Sequence, residues 1–90
     1  MDTGTPATGG FGALLHGLRT AAGLSQEQLA HAAGVSVRAL SYMERGRSRG
    51  PQRRTVQALA TALALDGDAA RRLEHAASLG RPRRVAKAEA

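Results

Sequence analysis

Residues 24–46 have the sequence LSQEQLAHAAGVSVRALSYMERG, and this stretch decides the fold. Ser25 and Gln28 are spaced as a capping box, in which each side chain bonds the backbone of the other residue at the start of a helix. Gly34 suits the left-handed position that ends a helix, and Ser36 is placed to cap the helix that follows. The stretch therefore predicts two short helices joined by a tight glycine turn.

Apolar residues recur at helical spacing in these two helices and on either side of them. The second helix is expected from Gln26 to Ala33 and the third from Val37 to Arg45, while Asp66 and Asp68 favour the start of the fifth and Gly80 its end. No strand pattern is present, so we predict an all-α fold, a compact bundle of five short helices. The apolar positions are Phe11, Leu14, Leu15, Leu18 and Ala22 in the first helix, Leu29, Ala30 and Ala33 in the second, Leu40 and Met43 in the third, Val56, Leu59, Ala60 and Leu63 in the fourth, and Leu73, Ala76 or Ala77, and Leu79 in the fifth.

The length of 90 residues allows one small domain. Residues 1–10 are rich in glycine, threonine, alanine and proline and lack periodicity, so we expect a disordered N-terminal segment. Residues 81–90 are polar and basic and are expected to form a flexible tail. Residues 11–80 remain for the folded domain, and a domain of that size buries only about 60% of the surface of its unfolded chain, so we expect modest stability.

Several classes of function are disfavoured by the composition. The chain has no cysteine, which excludes disulfides and thiolate metal sites. His16, His31 and His75 are isolated from one another and from carboxylates at ligand spacing, so they are expected to be surface residues, with no metal or other cofactor. We also find no nucleophile with a base, no glycine-rich phosphate loop and no paired carboxylates, so we do not expect an enzyme. No apolar run approaches the roughly 18 residues of a membrane span, and a cytoplasmic protein is expected.

The net charge of +6 is concentrated in two segments. Residues 45–54 contain five arginines and no acidic residue, and residues 81–90 contain four basic residues and one acid. The guanidinium group is well shaped to bind phosphate, so this charge indicates a nucleic-acid partner. A solvated basic surface is the alternative interpretation, above all for the tail.

Residues 11–65 resemble the lambda-repressor/Cro-like helix-turn-helix family, also called the XRE family. The arginine-rich segment after Gly46 is similar to that of actinobacterial regulators. The resemblance implies a transcriptional regulator that binds double-stranded DNA, associated with the nucleoid, whose third helix enters the major groove. The residues that carry the resemblance are 24–30, 33–36, Leu40 and 43–46.

The family pattern implies roles for individual residues. Arg38 is the strongest candidate for base reading, because a guanidinium can donate two hydrogen bonds to guanine O6 and N7. Arg19 and Glu44 match an arginine late in the first helix and a glutamate at the end of the third, which implies an ion pair that orients the third helix. The base-reading candidates are Ser36, Val37, Arg38 and Tyr42, with Ser41 as a lesser one. The resemblance also implies a phosphate-binding role for Gln26. The arginine-rich segment itself, which does not map residue by residue onto the family, adds as phosphate-binding candidates Arg45, Arg47, Ser48, Arg49, Arg53 and Arg54.

Two other functions remain open at this point. The alternative from another class is a protein-interaction module, of antitoxin or adaptor type, that uses the same bundle to bind a partner protein. A third and weaker alternative is a non-specific nucleic-acid binder that depends on the charge of the arginines. A homodimer on a palindromic operator is also open, since one such module buries little surface. Leu73 and Leu79 would either form a dimer contact or close the core of the monomer.

Overall fold

The computed structural model describes residues 9–46 and 51–80, and these residues form five α-helices without a strand. They confirm the predicted all-α bundle. Of the segment 1–10 that was expected to be disordered, residues 1–8 lie outside the described residues, as do the expected flexible tail of residues 81–90 and the segment 47–50. A π-helical turn, Gly9–Ala13, precedes α1 (Leu14–Ala21), α2 (Gln26–Ala33), α3 (Val37–Glu44), α4 (Arg53–Ala62) and α5 (Gly67–Gly80).

Local hydrogen bonds fix the ends of α2 and α3 as predicted. The Gln28 amide donates to Ser25 Oγ at 3.0 Å, and the Ser25 amide donates to Gln28 Oε1 at 2.8 Å, which completes the capping box. Gly34 ends α2 in the left-handed region, with φ of 74°. Ser36 Oγ accepts from the amide of Ala39 at 3.0 Å and so starts α3. The turn between the two helices is therefore specified by its own residues.

The start of the domain differs from the predicted first helix. Phe11 lies in the π-helical turn rather than in α1, although it is buried as expected. Gly12 is buried against the end of α3, where an added Cβ would lie 2.6 Å from the carbonyl oxygen of Met43 and 2.7 Å from that of Glu44. Ala22 was expected in the apolar core but is exposed, one residue beyond the end of α1.

The last helix also departs from the prediction at one position. Asp66 Oδ1 accepts from the Ala69 amide at 2.8 Å and so caps the start of α5. Leu73 and Ala77 are fully buried, which settles the choice between Ala76 and Ala77. Leu79 was expected on the same side but is 74% exposed. It follows Leu73 by six residues, which is about 240° around a helix of 3.6 residues per turn, so it points away from the core.

The core is built almost entirely from aliphatic side chains at the predicted positions. Ala30 is 1% exposed where α2 packs against its neighbours, and its small side chain permits a close approach. Leu40 and Met43 anchor α3 in this core, so the opposite face of α3 is turned outward. None of the described helices is long and apolar enough to cross a membrane. The buried core residues are Phe11, Leu15, Leu29, Ala30, Leu40, Met43, Val56, Leu59, Leu63, Leu73 and Ala77.

Candidate nucleic-acid interface

The outward face of α3 presents three of the predicted base-reading side chains. Val37 is 41% exposed and Tyr42 is 50% exposed. Arg38 is also exposed, near the start of the helix. Because Tyr42 follows Arg38 by four residues, the two lie one above the other on the same ridge. The face therefore combines a guanidinium, an apolar side chain and a phenol.

The two serines among the predicted base-reading residues, Ser36 and Ser41, differ in their surroundings, since Ser36 is exposed and caps α3. The Ser36 hydroxyl oxygen already accepts the capping hydrogen bond from Ala39, which leaves its O–H and one lone pair for a further partner. Ser41 is half-buried. Both residues border the exposed face of α3, and their contacts with bases stay a prediction.

Arg19 and Glu44, the pair that the family resemblance implied, form a two-pronged ion pair between α1 and the end of α3. Arg19 Nε donates to Glu44 Oε2 at 2.6 Å, and Arg19 Nη2 donates to Glu44 Oε1 at 3.0 Å. Arg19 Nη1 also donates to the carbonyl oxygen of Leu24 at 2.8 Å. The side chains are 12% and 4% exposed, respectively. One guanidinium thus ties α1, the loop before α2, and α3 together.

Two further side chains converge on the same carboxylate. Gln26 Nε2, at the start of α2, donates to Glu44 Oε1 at 3.1 Å. His16 Nδ1 lies 3.1 Å from Glu44 Oε1 and 3.2 Å from Arg19 Nη2. The expectation that His16 is isolated from carboxylates is therefore wrong, although the side chain is 57% exposed. We call Glu44 with Arg19, Gln26 and His16 the carboxylate hub.

The hub changes the acidity of Glu44. Burial of the carboxylate acts to raise its pKa, but the hydrogen bonds from Arg19, His16 and Gln26 and the charge of Arg19 lower it by more. The pKa of Glu44 therefore lies below its ordinary value. The hydrogen bond to Glu44 is also the main reason that the pKa of Arg19 is raised. Both partners are thus held in their charged forms.

This lowered pKa predicts a loss of stability in acid. A carboxylate with a depressed pKa in the folded state contributes stability above the unfolded value, about 4.3, and that contribution disappears as the pH falls through the folded value. Glu44→Gln is therefore expected to flatten the dependence of the unfolding free energy on pH below about pH 5. Urea unfolding between about pH 3 and pH 7 measures this. Glu27→Gln, at an exposed position on α2, controls for the loss of one negative charge, and equal curves for Glu44→Gln and the wild type would contradict the prediction.

The predicted phosphate-binding arginines are only partly within the described residues. Arg45 is exposed at the end of α3, and Arg54 is exposed in the first turn of α4. Arg53 is also exposed, but its Nε lies 3.7 Å from Glu74 Oε2. The candidates Arg47, Ser48 and Arg49 fall in the segment 47–50, outside the described residues. In the ranges 9–46 and 51–80, no group of three or more metal-ligating side chains comes together.

Comparison with known proteins places this geometry in a family. A family described as a helix-turn-helix domain matches residues 11–73. The high-resolution crystal structure of the restriction-modification controller protein C.AhdI from Aeromonas hydrophila is similar, with a TM-score of 0.64 and 35% sequence identity. That similarity covers 73% of this chain and 98% of C.AhdI. Comparison with curated proteins gives no match.

Proposed function

The chain belongs to the XRE-type helix-turn-helix family of DNA-binding transcription regulators, and from this membership we propose that it reads a specific double-stranded operator. In this proposal α3 enters the major groove, and the protein acts by binding rather than by catalysis. The similarity to a controller protein supports a regulatory role.

The observation that carries the proposal is the exposed face of α3, which is formed by Val37, Arg38 and Tyr42. The opposite face of this helix is buried in the core. An α-helix fits the major groove, and its outward side chains then meet base edges. Arg38 would donate two hydrogen bonds to a guanine, Val37 would contact a thymine methyl group, and Tyr42 would bond a base or a phosphate through its hydroxyl. Ser36 and Ser41 would add contacts at the border of this exposed face.

Contacts to phosphates would set the affinity and the register of the protein on DNA. Gln26 lies in the first turn of α2, where backbone amides and the helix dipole favour an anion, and its side chain is held at Glu44. Arg45 and Arg54 add positive charge at the ends of α3 and α4. We propose the same role for Arg53 and for the loop residues Arg47, Ser48 and Arg49.

We further propose that two copies bind one palindromic operator. A single module buries too little surface on DNA for high specificity. Two copies on half-sites about one helical turn apart would double the buried surface. Of the two leucines considered for a dimer contact, Leu73 is fully buried, whereas Leu79 is 74% exposed near the end of α5. Leu79 is thus the residue that supports a contact between copies.

Selection from a random pool of DNA duplexes at near-physiological salt tests this function. We expect the wild-type protein to enrich an inverted repeat with half-sites about one helical turn apart. Arg38→Ala is expected to relax the preference at one base pair of each half-site, at a cost of about 1–3 kcal/mol in binding to the enriched duplex. Arg54→Ala, the matched loss of an exposed arginine, should weaken binding to all duplexes about equally.

The other outcomes of the selection would each overturn a different part of the proposal. A single enriched half-site would show that one copy reads DNA without a second. Salt-sensitive binding without enrichment, and equal losses for Arg38→Ala and Arg54→Ala, would indicate a non-specific, charge-driven binder. A co-purifying protein together with indifference to Arg38→Ala would indicate a protein-interaction module.

A further inference from the structure

His16 is largely exposed, yet one of its ring nitrogens lies within hydrogen-bonding distance of two charged side chains. Its Nδ1 faces Glu44 of α3 and Arg19 of α1, and these are the charged groups among the described residues that contact the ring. The side chain is nevertheless 57% exposed. Because Nδ1 is turned toward the carboxylate hub, the other ring nitrogen, Nε2, lies on the edge of the ring directed away from it.

His16 also lies next to the proposed phosphate-binding side chain of α2. His16 Nδ1 and Gln26 Nε2 each lie 3.1 Å from the same atom, Glu44 Oε1, so they are no further apart than twice that distance. The Gln26 amide group has a second N–H beyond the one given to Glu44. An anion that accepts this second N–H at about 2.9 Å is therefore no further than about 9 Å from His16 Nδ1.

We propose that His16 binds a DNA phosphate next to Gln26 through its Nε2–H, and that this contact takes up a proton. The inference rests on the proposed DNA binding, but on its phosphate contacts and not on sequence reading. In the imidazolium both ring nitrogens are donors, so Nδ1–H bonds Glu44 while Nε2–H bonds the phosphate.

The proton uptake follows from the two anions that then face one ring. Each neutral tautomer leaves one ring lone pair facing an anion. A ring that donates from Nδ1 to Glu44 turns the lone pair of Nε2 toward the phosphate, and a ring that donates from Nε2 to the phosphate turns the lone pair of Nδ1 toward Glu44 Oε1, where Arg19 Nη2 is its donor. The negative charge of the phosphate, added to that of Glu44, favours the charged form of the ring. Bound DNA therefore favours the charged ring over the neutral one. Since binding adds a proton, the affinity rises as the pH falls through the range of about pH 5 to 8 in which imidazole ordinarily changes its charge.

The test uses the full chain and a fixed duplex of arbitrary sequence, roughly 20 base pairs long, so that no operator is needed. Wild-type protein is expected to bind at least about threefold more tightly at about pH 6 than at about pH 8. His16→Gln keeps an N–H for Glu44 but has no titrating group, and it should lose this difference. At about pH 6 its plot of log Kd against log salt should also be shallower, by about one unit of slope.

Two further variants complete the design. His75→Gln removes an exposed histidine from α5 and should leave both the pH dependence and the salt slope as in the wild type. The lysine of His16→Lys is charged at both about pH 6 and about pH 8. This variant should therefore bind DNA more tightly than His16→Gln at about pH 8, and its own affinity should change little between the two pH values. It also provides a readout if His16→Gln unfolds, which thermal denaturation reveals.

The inference is overturned if His16→Gln keeps the pH dependence and the salt slope of the wild type, or if His75→Gln removes them equally. Failure of the proposed function has a different signature. A selection that enriches no sequence, with the effects of His16→Gln still present on the arbitrary duplex, would refute operator reading and leave the phosphate contact of His16 standing.

Discussion

Arg19→Ala is expected to lower the free energy of unfolding by about 3 kcal/mol, within the range for removing one partner of a buried ion pair. The Glu44 side chain is 4% exposed, and Arg19 supplies two of its hydrogen bonds. Without the guanidinium, a buried carboxylate keeps only neutral or exposed partners, and the carbonyl oxygen of Leu24 loses its donor as well. A domain of this size has only a small reserve of stability, so urea or thermal unfolding at neutral pH would show a large shift.

Two further variants distinguish the stabilising effect of the carboxylate hub from that of an exposed ion pair. Arg71→Ala breaks a contact of 3.6 Å with Asp68 in which both side chains are more than 70% exposed, and we expect no measurable change in stability. Removing both partners, Arg19→Ala with Glu44→Ala, should cost less than the sum of the single changes, because no uncompensated charge remains. A loss for Arg19→Ala no larger than that for Arg71→Ala would show that the pair does not hold α3.

Gly12→Ala is expected to be similarly destabilising, by about 3 kcal/mol, through a steric effect. Its new Cβ would lie 2.6 and 2.7 Å from the carbonyl oxygens of Met43 and Glu44 and 3.0 Å from the amide nitrogen of Gly46. All three atoms belong to the backbone, so no side chain can move aside. The π-helical turn would have to separate from the end of α3, and Phe11 would leave the core with it.

Gly17→Ala is the matched control, with the opposite sign. Gly17 lies inside α1, and an added Cβ would meet nothing within 4 Å. Alanine is the better helix former by about 0.8–1.0 kcal/mol, so this variant should be more stable than the wild type. The melting temperatures of the two variants compare a glycine that has no room for a Cβ with a glycine that has room for one. Equal melting temperatures for the two would contradict this account of Gly12.

The parts of the fold that were predictable are those whose causes are local. Ser25, Gln28, Gly34 and Ser36 act within one turn of their own positions, so their hydrogen bonds and dihedral angles follow from spacing alone. The helices follow from apolar periodicity, which also explains the error at Leu79. Its distance of six residues from Leu73 places it off the buried stripe, although both residues are leucine.

The parts that were missed depend on contacts between distant segments. His16 and Glu44 are 28 residues apart in the chain, and Gln26 and Glu44 are 18 apart, so no local pattern marks their meeting at one carboxylate. The pairing of Arg19 with Glu44 was expected only because a family resemblance supplied it. Nothing in the local sequence indicated that position 12 needs a glycine, because that need arises from the close approach of the backbone at the end of α3.

The placement of Tyr42 has a practical consequence for measuring this protein. The chain has one tyrosine and no tryptophan, and that tyrosine stands half-exposed on the outward ridge of α3. Near-ultraviolet absorption and intrinsic fluorescence of the folded protein therefore originate mainly from a single ring on the proposed reading surface. The protein carries its own optical reporter there, without any attached dye.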